Sequence, residues 1–80
     1  MKNKTSDLLM CIGRNVKKYR DLRGMSQQEL AFLCGKTDRS TISNIERFNC
    51  NGLNISTLVK ICHVLEIEFE DIFKNEKSPD

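Results

Sequence analysis

A short helix bounded by two glycines is the feature that most restricts how this chain can fold. Ser26 and Glu29 have the spacing of a capping box, in which the hydroxyl accepts from the third helical amide and the carboxylate accepts from the cap amide. Gly24 ends the preceding helix, and Gly35 ends this one after about nine residues. Because a helix this short is not stable alone, it must pack against the elements on either side.

The preceding helix is predicted over residues 7–23, where apolar side chains recur three and four positions apart. Its inward stripe is predicted to consist of Leu8, Leu9, Ile12, Val16 and Tyr19. In the short second helix, the inward residues are predicted to be Leu30, Ala31 and Cys34.

A third helix is predicted to start after Asp38 or Thr37, either of which can cap it through a side-chain oxygen, and to run to about Phe48. Only two of its residues, Ile42 and Ile45, are aliphatic. We therefore expect these two side chains to face the core.

The remainder of the chain predicts two further helices. Residues 49–54 are rich in Asn and Gly and are expected to form a loop, with Asn54 capping a helix over residues 55–65. Its inward positions are predicted to be Ile55, Leu58, Ile61, Cys62 and Leu65, with Lys60 and His63 in solvent. A short fifth helix carries Phe69, Ile72 and Phe73. Residues 74–80 are polar and are expected to form a frayed tail.

The predicted fold class is all-α, because no alternating stretch is long enough to require a strand. A length of 80 residues, with 39% hydrophobic and 30% charged residues, indicates one folded domain and excludes a large multi-domain enzyme. We expect a compact five-helix bundle with its core between residues 8 and 73. No run approaches the roughly 18 apolar residues of a membrane helix, so we expect a cytoplasmic protein without a membrane partner.

The four cysteines do not have the spacing of a metal site or a disulfide scaffold. Cys11, Cys34, Cys50 and Cys62 are far apart and form no CxxC pair. The only histidine, His63, adjoins Cys62, so their side chains diverge on a helix. Reduced thiols and no metal or other cofactor are expected, and Cys-His nucleophilic catalysis is not, because it needs converging side chains.

Charge is divided unevenly between the two halves of the chain. Residues 1–47 contain ten Lys or Arg against five Asp or Glu, whereas residues 48–80 contain three against six. A basic first half favours a polyanionic partner, and an acidic second half favours a protein partner or solvent.

The second and third helices together predict a helix-turn-helix. Two short helices joined by a tight turn need close contact, which small residues permit, and Ala31 lies four positions before Gly35. Ile42 and Ile45 supply the apolar contact from the third helix. In this arrangement the second helix crosses the DNA backbone and the third enters the major groove.

The sequence resembles the Cro and phage-repressor type (XRE-like) helix-turn-helix family over about residues 8–73. The resemblance is carried by Arg20, residues 24–31, Gly35 and residues 40–47. Within this family the chain is most similar to the restriction-modification controller proteins. These are similarly short and have an Asp-Arg pair at the start of the third helix, here Asp38 and Arg39.

The outward surface of the third helix follows from its two isoleucines. With Ile42 and Ile45 facing inward, the opposite stripe is polar throughout. An arginine at the start of a recognition helix offers a bidentate donor that matches guanine, and an asparagine can pair with adenine. We therefore predict base contacts from Arg39, Ser40, Ser43 and Asn44.

Contacts to the DNA backbone are predicted from residues beside this stripe. Arg47 lies two turns along the helix, where a phosphate is nearer than a base. A phosphate contact is also predicted for Thr41. Gln27 matches the family position that hydrogen-bonds a phosphate. Arg20 and Glu46 match a family pair that forms a partly buried ion pair between the first and third helices, so the resemblance implies this pair here.

A homodimer is expected, because one recognition helix buries too little surface to select a genomic site. Family members span two half-sites roughly 34 Å apart on near-palindromic DNA. The predicted interface consists of Val64, Ile67, Phe69 and Phe73. The alternative is that these side chains are buried within one chain.

Together these features predict a sequence-specific regulator of transcription that binds double-stranded DNA as a dimer on a near-palindromic operator. Control of a restriction-modification system is the narrower role that the resemblance implies. The alternative is an antitoxin-like or phage-repressor-like interaction module, in which the acidic half binds another protein and DNA binding is secondary. Neither an enzymatic activity nor a small-molecule substrate is expected.

Overall fold

The computed structural model describes residues 4–35, 37–49 and 53–74 of the chain. Within these residues it contains four α-helices, one 3₁₀ helix and no strand. The elements are α1 (Lys4–Leu22), α2 (Gln27–Leu33), α3 (Arg39–Glu46), α4 (Ile55–Leu65) and the C-terminal 3₁₀ helix (Phe69–Phe73). The all-α class is confirmed. Most of the predicted tail and residues 50–52 of the predicted loop lie outside the described residues.

The predicted count of five α-helices is wrong by one, because the last element is not an α-helix. Residues Phe69–Phe73 form a 3₁₀ helix, in which the Asp71 amide donates to the Glu68 carbonyl at 2.9 Å. A segment of five residues is too short for a series of i→i+4 bonds, and the tighter i→i+3 pattern suits such short pieces.

Local capping sets the ends of α2 and α4 as predicted. The Glu29 amide donates to Ser26 Oγ at 3.0 Å, and the Ser26 amide donates to Glu29 Oε1 at 2.8 Å. At the start of α4, the Thr57 amide donates to Asn54 Oδ1 at 2.8 Å. Gly35 follows α2 with φ of +86°, a conformation that L side chains rarely adopt.

The start and end of α3 differ from the prediction. Asp38 occupies the N-cap position, but its exposed carboxylate makes no capping hydrogen bond. Its backbone carbonyl instead accepts from the Thr41 amide at 3.0 Å. The helix ends at Glu46 rather than Phe48, because Phe48 adopts a left-handed φ of +67°.

The core lies where the four helices and the 3₁₀ helix meet. Its most deeply buried side chains are Val16, Leu30, Ile42, Ile61, Leu65 and Ile72. Two predicted core residues are exposed, Leu8 by 44% and Ile55 by 65%, and two more, Leu9 and Tyr19, are only partly buried. Leu8 precedes the point where burial of α1 begins at Ile12, and Ile55 is the first residue of α4, at the edge of its inward stripe.

Helix α1 approaches α3 closely at Gly13. A Cβ atom at this position would lie 2.5 Å from the Ile45 carbonyl oxygen and 2.8 Å from the Phe48 ring. Gly13 therefore lets the end of α3 rest against α1, which sets where the third helix lies in the molecule.

Asn15 joins α1 to the C-terminal 3₁₀ helix. Its buried side chain donates through Nδ2 to the carbonyl oxygens of Ile72 and Lys74, both at 2.8 Å. This residue was absent from the sequence predictions, because a polar side chain beside an apolar stripe gives no sign of its partner.

Candidate nucleic-acid interface

The surface of α3 is set by the two isoleucines that anchor it. Ile42 and Ile45 are both buried, and they pack in the same cluster as Ala31 of α2 and Cys34, the residue that follows α2. The small Ala31 side chain allows the two helices to come close. The opposite side of α3 is therefore available to solvent, as the sequence pattern predicts.

Five polar side chains form the outer stripe of α3, which consists of Arg39, Ser40, Ser43, Asn44 and Arg47. The side chains of Arg39, Ser40 and Arg47 are exposed, and those of Ser43 and Asn44 are partly exposed. None belongs to the buried core. Thr41, for which a phosphate contact is predicted, is also partly exposed.

Arg39 and Asn44 differ in how free their polar atoms are. Arg39 makes no hydrogen bond or ion pair with any residue that the structure describes, so its five donors are available. Asn44 Oδ1 accepts from Arg47 Nη2 at 3.4 Å. This exposed bond is long and weak, so either side chain can leave it for a better partner.

Arg20 and Glu46 lie together in a buried ion pair that links α1 to α3. Arg20 Nε donates to Glu46 Oε2 at 2.7 Å, and Arg20 Nη2 donates to Glu46 Oε1 at 3.0 Å. The side chains are only 9% and 5% exposed. The hydrogen bond with Glu46 raises the pKa of Arg20 above its ordinary value, so Arg20 keeps its charge.

The guanidinium of Arg20 also holds the turn between α1 and α2. Arg20 Nη1 donates to the Met25 carbonyl at 2.7 Å, just before the capping box at Ser26. One side chain therefore connects the end of α1, the start of α2 and the end of α3. Truncating either partner of the ion pair would leave a buried charge unpaired.

Gln27 has a partner that the sequence did not indicate. It is the first residue of α2, and its Nε2 donates to Glu46 Oε1 at 3.0 Å. The predicted phosphate-contacting residue is thus bonded to the predicted ion pair. The contact could have been found from the position of Arg20, because the start of α2 and the end of α3 both lie near this residue.

The sequence pattern of the Helix-turn-helix family matches residues 16–72, which is more than half of the chain. The chain belongs to the helix-turn-helix family. The matched residues include α2, α3 and the outer stripe. The family is the XRE type of helix-turn-helix. Proteins of this type are DNA-binding regulators, and the helix-turn-helix protein described here is one of them.

Two solved structures share the fold of this helix-turn-helix protein. It is similar to the restriction-modification controller protein C.AhdI from Aeromonas hydrophila, with a TM-score of 0.74 and 32% identity, covering 81% of this chain and 96% of that chain. It also resembles part of hydroxypropylphosphonic acid epoxidase from S. wedmorenis, with a TM-score of 0.76 and 22% identity, covering 86% of this chain and 36% of that chain. The second likeness shows a common fold alone. No curated protein matches the chain significantly.

The apolar residues predicted for a dimer lie at the end of α4, in the connection that follows it and in the 3₁₀ helix. Val64, Ile67 and Phe73 are half-buried against the core of the helix-turn-helix protein. Phe69 is 38% exposed and packs edge-on against Phe73, with the ring centroids 5.2 Å apart. These four residues are called the C-terminal surface below.

The cysteines with described side chains have no metal-binding arrangement. Among the described residues, no three His, Cys, Asp or Glu side chains come together in a way that could hold an ion. Burial raises the pKa of the Cys34 and Cys62 thiols above their ordinary value, which lowers their thiolate fraction. Within the same residues, no helix is long and apolar enough to cross a lipid bilayer.

Proposed function

We propose that this helix-turn-helix protein is a sequence-specific transcriptional regulator that binds double-stranded DNA as a homodimer on a near-palindromic operator. The observation that carries this proposal is the outer stripe of α3, five polar side chains held outward by two buried isoleucines. A helix of this kind fits the major groove, where each base pair presents a distinct pattern of donors and acceptors.

In this proposal the first four residues of the outer stripe read bases. Arg39 is exposed, has unoccupied donors among the described residues and lies at the first position of α3, the end that approaches base edges. A bidentate pair with guanine O6 and N7 would contribute about 1 to 3 kcal/mol of discrimination. Ser40 and Ser43 are short enough for the helix to lie deep in the groove, and Asn44 can pair with adenine.

The DNA backbone is contacted from both helices of the motif. Gln27 at the start of α2 offers an amide donor, and Thr41 in α3 and Arg47 directly after α3 offer donors too. Such contacts set the position of the protein on the duplex but carry no base sequence. Arg47 is the charged member of this set, so its phosphate contact should contribute directly to the dependence of affinity on salt.

Dimerisation is assigned to the C-terminal surface, where Phe69 packs against Phe73 and is still 38% exposed. Two copies joined there would present two outer stripes to successive major grooves. Control of a restriction-modification system is the narrower role we propose. The likeness to C.AhdI over nearly the whole length of that chain supports it.

The experiment that tests this function selects bound duplexes from a pool of random DNA. We expect a near-palindromic sequence with half-site centres about 10 base pairs apart, since this spacing is one helical turn. Binding of the selected duplex should weaken steeply between 50 and 200 mM salt, roughly as expected for phosphate contacts. Weak, salt-insensitive binding without a preferred sequence would exclude the proposal and favour a protein-interaction module.

A pair of substitutions separates base reading from backbone contact. Arg39→Ala should relax the preference at one position of each half-site, and Gln27→Ala should weaken binding to all sequences about equally. Selection repeated with each variant measures both effects. Lys60→Ala, which removes a charge from the exposed face of α4, is the control and should keep the wild-type preference. Equal, sequence-independent losses from Arg39→Ala and Gln27→Ala would contradict the assigned roles.

A further inference from the structure

Three helix ends meet at the carboxylate of Glu46. Oε2 accepts from Arg20 Nε at 2.7 Å, and Oε1 accepts from both Arg20 Nη2 and Gln27 Nε2 at 3.0 Å. Arg20 lies near the end of α1, Gln27 is the first residue of α2, and Glu46 is the last residue of α3. The ion pair between Arg20 and Glu46 explains two of the three bonds that the carboxylate accepts. It does not explain the third, which comes from Gln27.

The bond to Glu46 fixes the orientation of the Gln27 side-chain amide, that is, the positions of its NH₂ group and its carbonyl oxygen. An ionised carboxylate only accepts hydrogen bonds, so it must face the NH₂ group and not the carbonyl oxygen. The NH₂ group has two hydrogens, and Glu46 takes one. The second is not used by any residue that the structure describes, and the Gln27 side chain is partly exposed.

A phosphate oxygen has the same requirement as the carboxylate, because it too only accepts. A glutamine that is free to rotate can present either its oxygen or its nitrogen to the DNA, and its oxygen would be repelled. The carboxylate of Glu46 would itself repel a phosphate, but Arg20 offsets that charge through two hydrogen bonds. The buried pair thus orients Gln27 without leaving a net negative charge beside the DNA.

We propose that Glu46 is a positioning residue for DNA binding, which fixes the Gln27 amide so that its second N–H donates to a backbone phosphate. This role is additional to the pairing of Glu46 with Arg20, and it rests on the proposed function. It makes the phosphate contact depend on a residue at the far end of the recognition helix.

A double-mutant cycle tests the proposal. The proteins are the wild type, Gln27→Ala, Glu46→Gln and the double variant, and the probe is a 24-base-pair duplex of mixed sequence, since a phosphate contact does not depend on bases. Gln27→Ala and Glu46→Gln should each weaken binding about tenfold, the order expected for a hydrogen bond to a charged group. In the Gln27→Ala background, Glu46→Gln should have much less effect. Losses that multiply in the double variant would overturn the proposal.

A second measurement on the wild type does not depend on whether Glu46→Gln folds. Nuclear magnetic resonance of the side-chain amides should show one Gln27 hydrogen exchanging slowly with solvent in the free protein, and both exchanging slowly with the duplex bound. Gln28, which is exposed on the same turn, is the matched control and should exchange fast in the free protein. If Gln27 exchanges as fast as Gln28, or loses its slow hydrogen when DNA binds, the proposal is wrong.

The outcomes separate this proposal from the function on which it rests. A wild-type protein that binds no duplex would remove both. A wild-type protein that binds the duplex, with multiplicative losses in the cycle, would remove only the role of Glu46 in orienting Gln27.

Discussion

Gly13 is the residue at which α1 and α3 have the least space between them. We expect Gly13→Ala to lower the free energy of unfolding by about 1 to 3 kcal/mol, as overpacked cores do. The usual gain from alanine in a helix is smaller than this cost, because the new Cβ would meet the Ile45 carbonyl at 2.5 Å. Urea unfolding measures the change.

Arg14→Ala is the control for this prediction, since Arg14 is exposed on the same helix. It should change the free energy of unfolding by no more than about 0.5 kcal/mol. A Gly13→Ala protein as stable as the wild type would mean that α3 can shift away from α1 at little cost.

Some single residues were predictable from the sequence and others were not. Ile42 and Ile45 are the only aliphatic residues of their helix, so their burial followed from pattern alone. Arg20 and Glu46 were matched by resemblance, and the structure brings them together. The bond from Gln27 to Glu46 could not be predicted, because it depends on the angle between α2 and α3, which periodicity does not specify.

At the scale of elements, the capping box at the start of α2 lends itself to a direct test. We expect Ser26→Ala to lower the free energy of unfolding by about 1 kcal/mol, because the Glu29 amide loses its acceptor. Thermal or urea unfolding would show the loss. Ser56→Ala removes a hydroxyl from the exposed first turn of α4 and should have little effect. Equal effects of the two variants would mean that the cap contributes nothing specific.

The link between α1 and the 3₁₀ helix provides a second test at this scale. Asn15→Ala removes one buried and one partly buried hydrogen bond and leaves the Ile72 carbonyl without its donor, which should cost about 1 to 3 kcal/mol. The substitution should accelerate amide hydrogen exchange more in residues 69–74 than in α2. Uniform acceleration along the chain would show that the 3₁₀ helix does not open separately.

Helix positions were predictable where local signals mark them. The capping residues Ser26 and Asn54 and the glycine at Gly35 each act within their own turn, so they could be recognised from the sequence. The 3₁₀ form of the last helix could not, because its residues have apolar spacing that suits either helix type. The exposure of Ile55 was also not predictable, since burial at a helix end depends on which neighbours reach it.

For the whole molecule, the C-terminal surface makes a prediction about assembly. Phe69→Glu places a charge where Phe69 is now 38% exposed, and we expect it to weaken the proposed dimer about tenfold or more. Sedimentation equilibrium over a range of concentrations would measure the change.

Phe32→Glu is the matched control, because Phe32 is 79% exposed on α2 and lies outside the C-terminal surface. It should leave the dimer unchanged. If the Phe32→Glu protein were a monomer and the Phe69→Glu protein a dimer, the interface would lie on α2 and not on the C-terminal surface.

The hydrogen bonds of Asn15 also bear on how fast the molecule folds and unfolds. They join residues 57 and 59 positions apart, whereas the contacts that build α2 and α3 are local. Closing so long a loop is entropically costly, so we expect this contact to form after the rate-limiting barrier. The lifetime of the native state would then depend on Asn15, because loss of a late contact accelerates unfolding and leaves the folding rate nearly unchanged.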